Sequence, residues 1–192
     1  PDFNGQPCVL FVGRLQARKR IDTLLEACAA LVEGKSRKSI QPRLVIIGDG
    51  PERIPLQKLA GAIYPQAEFP GEKRASELVP YFLEADLFVL PGTGGLAVQE
   101  AMSYGLPVIM GQGDGTNDEL VRPSNGWQLA SLEMLADVLQ EALSDAHRLR
   151  AMGAESYRIV AEEINLERMV EIFVQAVNQI KGATSGHVRA SE

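Results

Sequence analysis

The chain has 192 residues, of which 45% are apolar and 23% charged, with a formal net charge of −6. This is the profile of one sizeable water-soluble domain with its own core. The acidic balance disfavours a duplex nucleic-acid binder, and no apolar run approaches the roughly 20 residues of a membrane span.

Cys8, at the head of the apolar run Cys8–Val12, opens the first expected strand, which is continuous enough to be buried on both faces. A basic loop from Gly13 to Arg20 follows. Ile21, Leu24, Leu25, Cys28 and Val32 then recur at helical spacing. After a polar loop over 34–41, Arg43–Ile47 reads as a second strand closed by Gly48-Asp-Gly-Pro51, where Asp49 or Gly50 can cap the next helix. Leu56, Leu59, Ala60 and Ile63 mark that helix. Residues 67–70 suggest a short strand and 76–83 a helix with Pro80 in its first turns. Leu87–Leu90 is a strand, 94–104 a helix, 107–110 a strand and 127–129 a last short strand. Three helical stripes follow: one through Leu132, Leu135, Leu139 and Leu143, one over 147–163, and one through Met169, Phe173 and Val177. The expected domain runs over 1–182, with a disordered tail over 183–192.

Strands that alternate with helices predict an α/β fold: a mainly parallel sheet with helices on both faces and a helical carboxyl-terminal extension. Two cysteines and two histidines (His147 and His187) stand at no metal-ligand spacing, so no metal site is expected. Cys8 and Cys28 fall on apolar faces and are expected as buried, reduced thiols of a cytoplasmic protein. The first seven residues carry no signal-peptide pattern. The chain opens on Pro1 rather than Met, which suggests a fragment or a processed product.

In an open parallel sheet, ligands bind beyond the carboxyl ends of the strands. Residues 87–107 concentrate the chemistry there. An apolar strand runs into the glycine turn Gly92-Thr-Gly-Gly95, then into a helix with a single carboxylate, Glu100. Such a turn presents bare N–H groups and a helix macrodipole to a phosphate. Glu100, set against Ala97, Val98, Ala101 and Met102, is expected near the core edge, with its carboxylate leaning back toward the turn as a partner for sugar hydroxyls. Arg14 and Lys19, close behind the first strand, supply the cations that a diphosphate needs.

Other readings stay open on these residues. Gly92-x-Gly94-x-x-Ala97 also spells a dinucleotide fingerprint, with Asp114 some 20 residues on as the ribose acid. That fingerprint normally follows the first strand of its unit, not a late one. The glycines can also serve only tight strand–helix packing. Arg14, Arg18, Lys19 and Arg20 can be a solvated patch. Trp127 is expected in the core, and Asp118 and Glu119 either line the crevice or cap a short helix.

The opening Phe11-Val-Gly-Arg-Leu, then Arg20-Ile-Asp-Thr-Leu-Leu-Glu-Ala27, resembles the carboxyl-terminal domain of GT-B retaining glycosyltransferases. Val45–Pro51, Tyr81–Pro91, Gln99–Ile109, Glu119–Val121 and Asn125-Gly126 match the same family in the same order. The resemblance implies a Rossmann-like domain that binds a nucleotide-diphospho-sugar, usually a UDP- or GDP-sugar, and transfers the sugar with retention and without a catalytic metal or other cofactor. It places Arg14 and Lys19 on the diphosphate, where they stabilise the leaving group. Gly13 lies beside them in the donor site. Glu100 falls on the ribose and the amides of Gly94, Gly95 and Leu96 on the distal phosphate or sugar. Lys73 is a candidate for the base pocket.

Two departures stand out. The family carries a second glutamate eight residues before the ribose glutamate, against the donor sugar, and Gly92 occupies that position here. The amino-terminal acceptor domain is absent from this chain and is the expected partner, through which any peripheral membrane contact would run. The alternatives are a non-catalytic nucleotide-sugar-binding module and an NAD(P)-binding domain.

Overall fold

The apolar runs become six strands in the computed structural model, which describes residues 6–33, 40–111 and 119–164. They are β1 (Cys8–Val12), β2 (Arg43–Ile47), β3 (Glu68–Gly71), β4 (Leu87–Leu90), β5 (Val108–Met110) and β6 (Gly126–Gln128). Their order across the sheet is β3-β2-β1-β4-β5-β6, and every neighbouring pair is parallel. β4 is buried along its whole length, as its unbroken apolar run requires of a strand covered on both faces. Each fully buried Leu, Ile or Phe side chain in these strands contributes roughly 1.5–3 kcal/mol.

The helices are α1 (Ile21–Glu33), α2 (Arg53–Ile63), α3 (Val79–Glu84), α4 (Leu96–Ser103), α5 (Leu135–Leu143) and α6 (Ala146–Glu163). From β1 the chain steps outward through β2 to β3, then returns to β4 beside β1 and continues the opposite way. Right-handed crossovers therefore set α1 and α4 on opposite faces. α1 packs against α2 and α5, and α4 packs against α6. The helical extension thus covers both faces. Gly153 lets α6 approach the turn after α4, since a Cβ there would stand 2.1 Å from the Gly105 carbonyl oxygen.

Local differences from the sequence expectation have simple causes. The helix read over 76–83 divides into a 3-10 turn, Ala75–Glu77, and then α3, with Pro80 near its start, where a missing N–H costs nothing. α4 begins at Leu96 because Gly94 holds a left-handed φ of 103° and Gly95 is the N-cap. The N-cap of α2 is Glu52, not Asp49 or Gly50; the Asp49 carboxylate instead accepts from Gly50 N–H at 2.7 Å. Trp127 is only half-buried, with the Arg148 guanidinium 5.0 Å from its ring centre. Cys8 and Cys28 are buried free thiols, and burial pushes them up to about 11 and about 12. The last expected helix, the tail, His187, Asp114 and Asp118 lie outside the described residues.

Candidate functional site

The strand order reverses between β1 and β4, which makes the loops beyond their carboxyl ends the natural ligand crevice. Backbone bonds tie these loops together. Gly13 N–H donates to Ile47 O (3.0 Å) and Leu15 N–H to Asp49 O (2.9 Å), joining the β1 loop to the β2 loop. On the other side, Thr93 N–H donates to Arg18 O at 3.2 Å, joining the β1 loop to the glycine turn after β4.

Two glycines make these approaches possible. A Cβ on Gly48 would stand 1.9 Å from the Gly13 carbonyl oxygen. A Cβ on Gly92 would stand 1.9 Å from the Arg18 carbonyl oxygen and 2.6 Å from Lys19 Cα. No side chain fits at Gly92 while the Arg18–Lys19 turn is docked there. Part of the glycine turn therefore does serve packing, as one reading of the sequence held.

The docked turn carries Lys19 to the start of α4. Its Nζ donates to Thr93 O at 2.7 Å and lies 2.6 Å from where a Cβ on Gly94 would stand. Arg18 flanks it, with Nη1 3.3 Å from Thr93 Oγ1 and Nε donating to Gln16 Oε1 at 3.0 Å. The N–H groups of Gly94, Gly95 and Leu96 have no acceptor among the described residues, and no side chain caps α4. An ammonium group and open amides therefore meet at one point, an arrangement that binds anions.

A second group of sequence-predicted residues meets beside it. Gly13, Arg14 and Lys73 line a cleft of about 500 Å³, together with Gly48, Asp49 and Glu72. Arg14 is exposed and has no ion-pair or hydrogen-bond partner among the described residues. Sequence reasoning named neither Asp49 nor Glu72 as site residues. Their position directly after β2 and β3 was the available signal.

Glu100 departs from its expected setting. α4 buries Val98, Ala101 and Met102, which turns Glu100 outward on the same stripe as Leu96, one turn earlier. Leu96 is 85% exposed, and the Glu100 side chain is exposed with no partner among the described residues. It is not a core-edge carboxylate. Glu119 is also exposed, and its carbonyl accepts from Arg122 Nε at 3.0 Å. No cluster of three or more His, Cys, Asp or Glu side chains that could hold a metal occurs among the described residues, and no described helix is long and apolar enough to cross a membrane.

The dinucleotide spelling Gly92-x-Gly94-x-x-Ala97 follows β4, the fourth strand of the chain. The turn after β1, the ordinary place of that fingerprint, contains only Gly13 before the basic residues.

Comparison with known proteins agrees with this architecture. A GDP-mannose-dependent alpha-mannosyltransferase of Mycolicibacterium smegmatis is 40% identical over 123 residues, 62% of this chain and 29% of that protein. One from Mycobacterium tuberculosis is 32% identical over 172 residues, 84% of this chain and 42% of that protein. The chain thus spans less than half the length of these relatives. Sucrose-phosphate synthase of Thermosynechococcus elongatus superposes with a TM-score of 0.74 at 27% identity, over 93% of this chain and 46% of that one. The HepE protein of Anabaena, solved in complex with UDP, shares the fold with a TM-score of 0.75 at 18% identity, over 91% of this chain and 49% of its own. These neighbours have the Rossmann-like sheet of GT-B glycosyltransferases. Residues 2–159 match the model of the family described as Glycosyl transferases group 1, and the chain belongs to that family.

Proposed function

We propose that this chain is the donor-binding half of a glycosyltransferase that moves a sugar from a nucleotide-diphospho-sugar to an acceptor with retention. An acceptor domain outside this chain would complete the enzyme. The observation that carries the reading is the meeting of Lys19 Nζ with the open amides of Gly94–Leu96 at the strand-order switch. That arrangement suits the distal phosphate of a nucleoside diphosphate.

Glycosyl transfer leaves negative charge on the departing diphosphate. Lys19 and Arg14 would neutralise it as the glycosidic bond breaks, so their interaction strengthens toward the transition state. Gly94, Gly95 and Leu96 donate hydrogen bonds from fixed positions, with no reorganisation as the charge develops. Glu100, one turn behind the amides and leaning toward them, accepts from the ribose hydroxyls. Gly13 lets the nucleotide approach the end of β1. Nothing in this scheme requires a metal or another cofactor. The donor is a UDP- or GDP-sugar, and the GDP-mannose dependence of several relatives favours the second.

A non-catalytic nucleotide-sugar-binding module is the second reading. It is favoured by Gly92, where the docked Arg18–Lys19 turn leaves no room for a sugar-binding side chain. Calorimetric titration of the chain with GDP and UDP tests the shared donor-site claim. Lys19→Ala and Arg14→Ala should each weaken binding by about 10-fold or more, the loss expected for one charge-assisted contact. Binding of NAD(P) with no response to GDP or UDP would overturn both readings. Turnover of a nucleotide-sugar by the full-length protein decides between them.

A further inference from the structure

Arg18 is fixed in place but not neutralised. Its Nε donates to Gln16 Oε1 at 3.0 Å and its Nη1 to Thr93 Oγ1 at 3.3 Å, and both acceptors are uncharged. Bonded arginines elsewhere meet carboxylates, as Arg20 meets Asp22, Arg43 meets Glu68 and Arg122 meets Glu163. Arg18 has no ion-pair partner among the described residues. Its Nη2 makes no bond among them either, so the guanidinium keeps donors to give. Ordering so long a side chain costs conformational entropy, which no ion pair offsets here.

The guanidinium lies over the start of α4. Nη1 is 3.5 Å from where a Cβ on Gly94 would stand, and Lys19 Nζ is 2.6 Å from the same point. Two adjacent cations thus converge on one backbone position, next to the open amides of Gly94, Gly95 and Leu96. Like charges so close repel, and an anion between them offsets that cost. Thr93 sets the convergence. Its N–H donates to Arg18 O at 3.2 Å, its carbonyl accepts from Lys19 Nζ at 2.7 Å, and its hydroxyl accepts from Arg18 Nη1. Space remains beside Arg18. With Arg20, Gly92 and Thr93 it borders a pocket of about 230 Å³ whose described lining holds no carboxylate. Arg20 is paired with Asp22 at 3.2 Å, so the uncompensated charge there is that of Arg18. Arg14 lines the neighbouring cleft, with Asp49, Glu72 and Lys73.

Resting on the donor-site reading above, we infer that Arg18 is a further ligand of the distal phosphate, beside Lys19. A guanidinium fork suits two phosphate oxygens at once. The role of a second cation follows from the charge on that phosphate. It carries a single negative charge while the sugar is attached. The terminal phosphate left behind carries about 1.5–2. Arg18 therefore holds the phosphate more strongly as the leaving group departs. Thr93 is the positioning residue that aims it.

The test is titration of the chain with GDP and GMP, and with UDP and UMP, for the wild type and Arg18→Gln. The monophosphates lack the distal phosphate. Arg18→Gln removes the charge and keeps the main-chain bond from Thr93 N–H, and Arg18 is exposed, so turn and core persist. The tighter-binding diphosphate should lose about 3–10-fold in affinity, the range for one exposed charged contact. Its monophosphate should stay within about 2-fold of the wild-type value. An unchanged diphosphate affinity, or an equal loss for diphosphate and monophosphate, overturns this inference while leaving the donor site intact. A wild type that binds neither diphosphate more tightly than its monophosphate overturns the donor-site reading itself.

Discussion

Gly92→Ala puts the docking of the Arg18–Lys19 turn on the glycine turn under direct strain. The new Cβ would lie 1.9 Å from the Arg18 carbonyl oxygen, whereas a comfortable carbon–oxygen contact is about 3.3 Å. The Arg18–Lys19 turn must therefore retreat by about 1.4 Å. That displacement breaks the 3.2 Å bond from Thr93 N–H to Arg18 O and the 2.7 Å bond from Lys19 Nζ to Thr93 O. One neutral and one charge-assisted hydrogen bond are worth about 1 and about 1.5–3 kcal/mol net, so the loss is roughly 2.5–4 kcal/mol. Urea unfolding of both forms measures it, as a lower midpoint at unchanged slope. Affinity for GDP or UDP should fall with it, because Lys19 leaves the amides of Gly94–Leu96. A loss below about 1 kcal/mol together with unaltered nucleotide binding would refute the claim that Gly92 seats the Lys19 turn.

The matched control is Gly61→Ala, in the exposed interior of α2, where a Cβ meets nothing within 4 Å. It should stabilise the chain by about 0.5–1 kcal/mol in the same urea experiment. Native Cys8 and Cys28, pushed up to about 11 and about 12 by burial, should react with an alkylating reagent at pH 8 at least about 100-fold more slowly than in urea-unfolded protein. Arg43 bonds Glu68 at 2.6 and 3.1 Å and holds its carboxyl below the usual glutamate range. That contribution is present above the unfolded glutamate pKa and lost as pH falls through the folded one. Arg43→Met should therefore cost about 1 kcal/mol or less near neutrality, and the gap to wild type should close in acid, as read by thermal unfolding across pH.

The parts of the fold that the sequence makes legible are those where periodicity maps directly onto burial. The runs at Cys8–Val12, Arg43–Ile47 and Leu87–Leu90 became strands with the bounds expected, because a strand covered on both faces must be apolar throughout. β3 and β6 moved by one residue, since such short edge strands end where pairing geometry allows. In the site, charge type and loop position together pointed to Arg14, Lys19 and Lys73, and the structure sets all three along the same edge. Glu100, expected at the core edge, is exposed instead, because its apolar neighbours in sequence turn to the other side of α4. Glu72 and Asp49 were missed because a carboxylate in a loop looks like any solvated residue until the opposing walls are known. The role of Gly92 in seating another loop was equally hidden, since the Arg18 carbonyl that fills its space is 74 positions away.

The central claim is that a nucleoside diphosphate docks its distal phosphate on the amides at the start of α4, beside Lys19. Backbone amide NMR of the labelled chain during titration with GDP addresses it directly. The account predicts the largest shifts at Gly94, Gly95 and Leu96, saturating together and abolished at the same GDP concentrations in Lys19→Ala. Saturable binding whose shifts leave those three amides unmoved would contradict it.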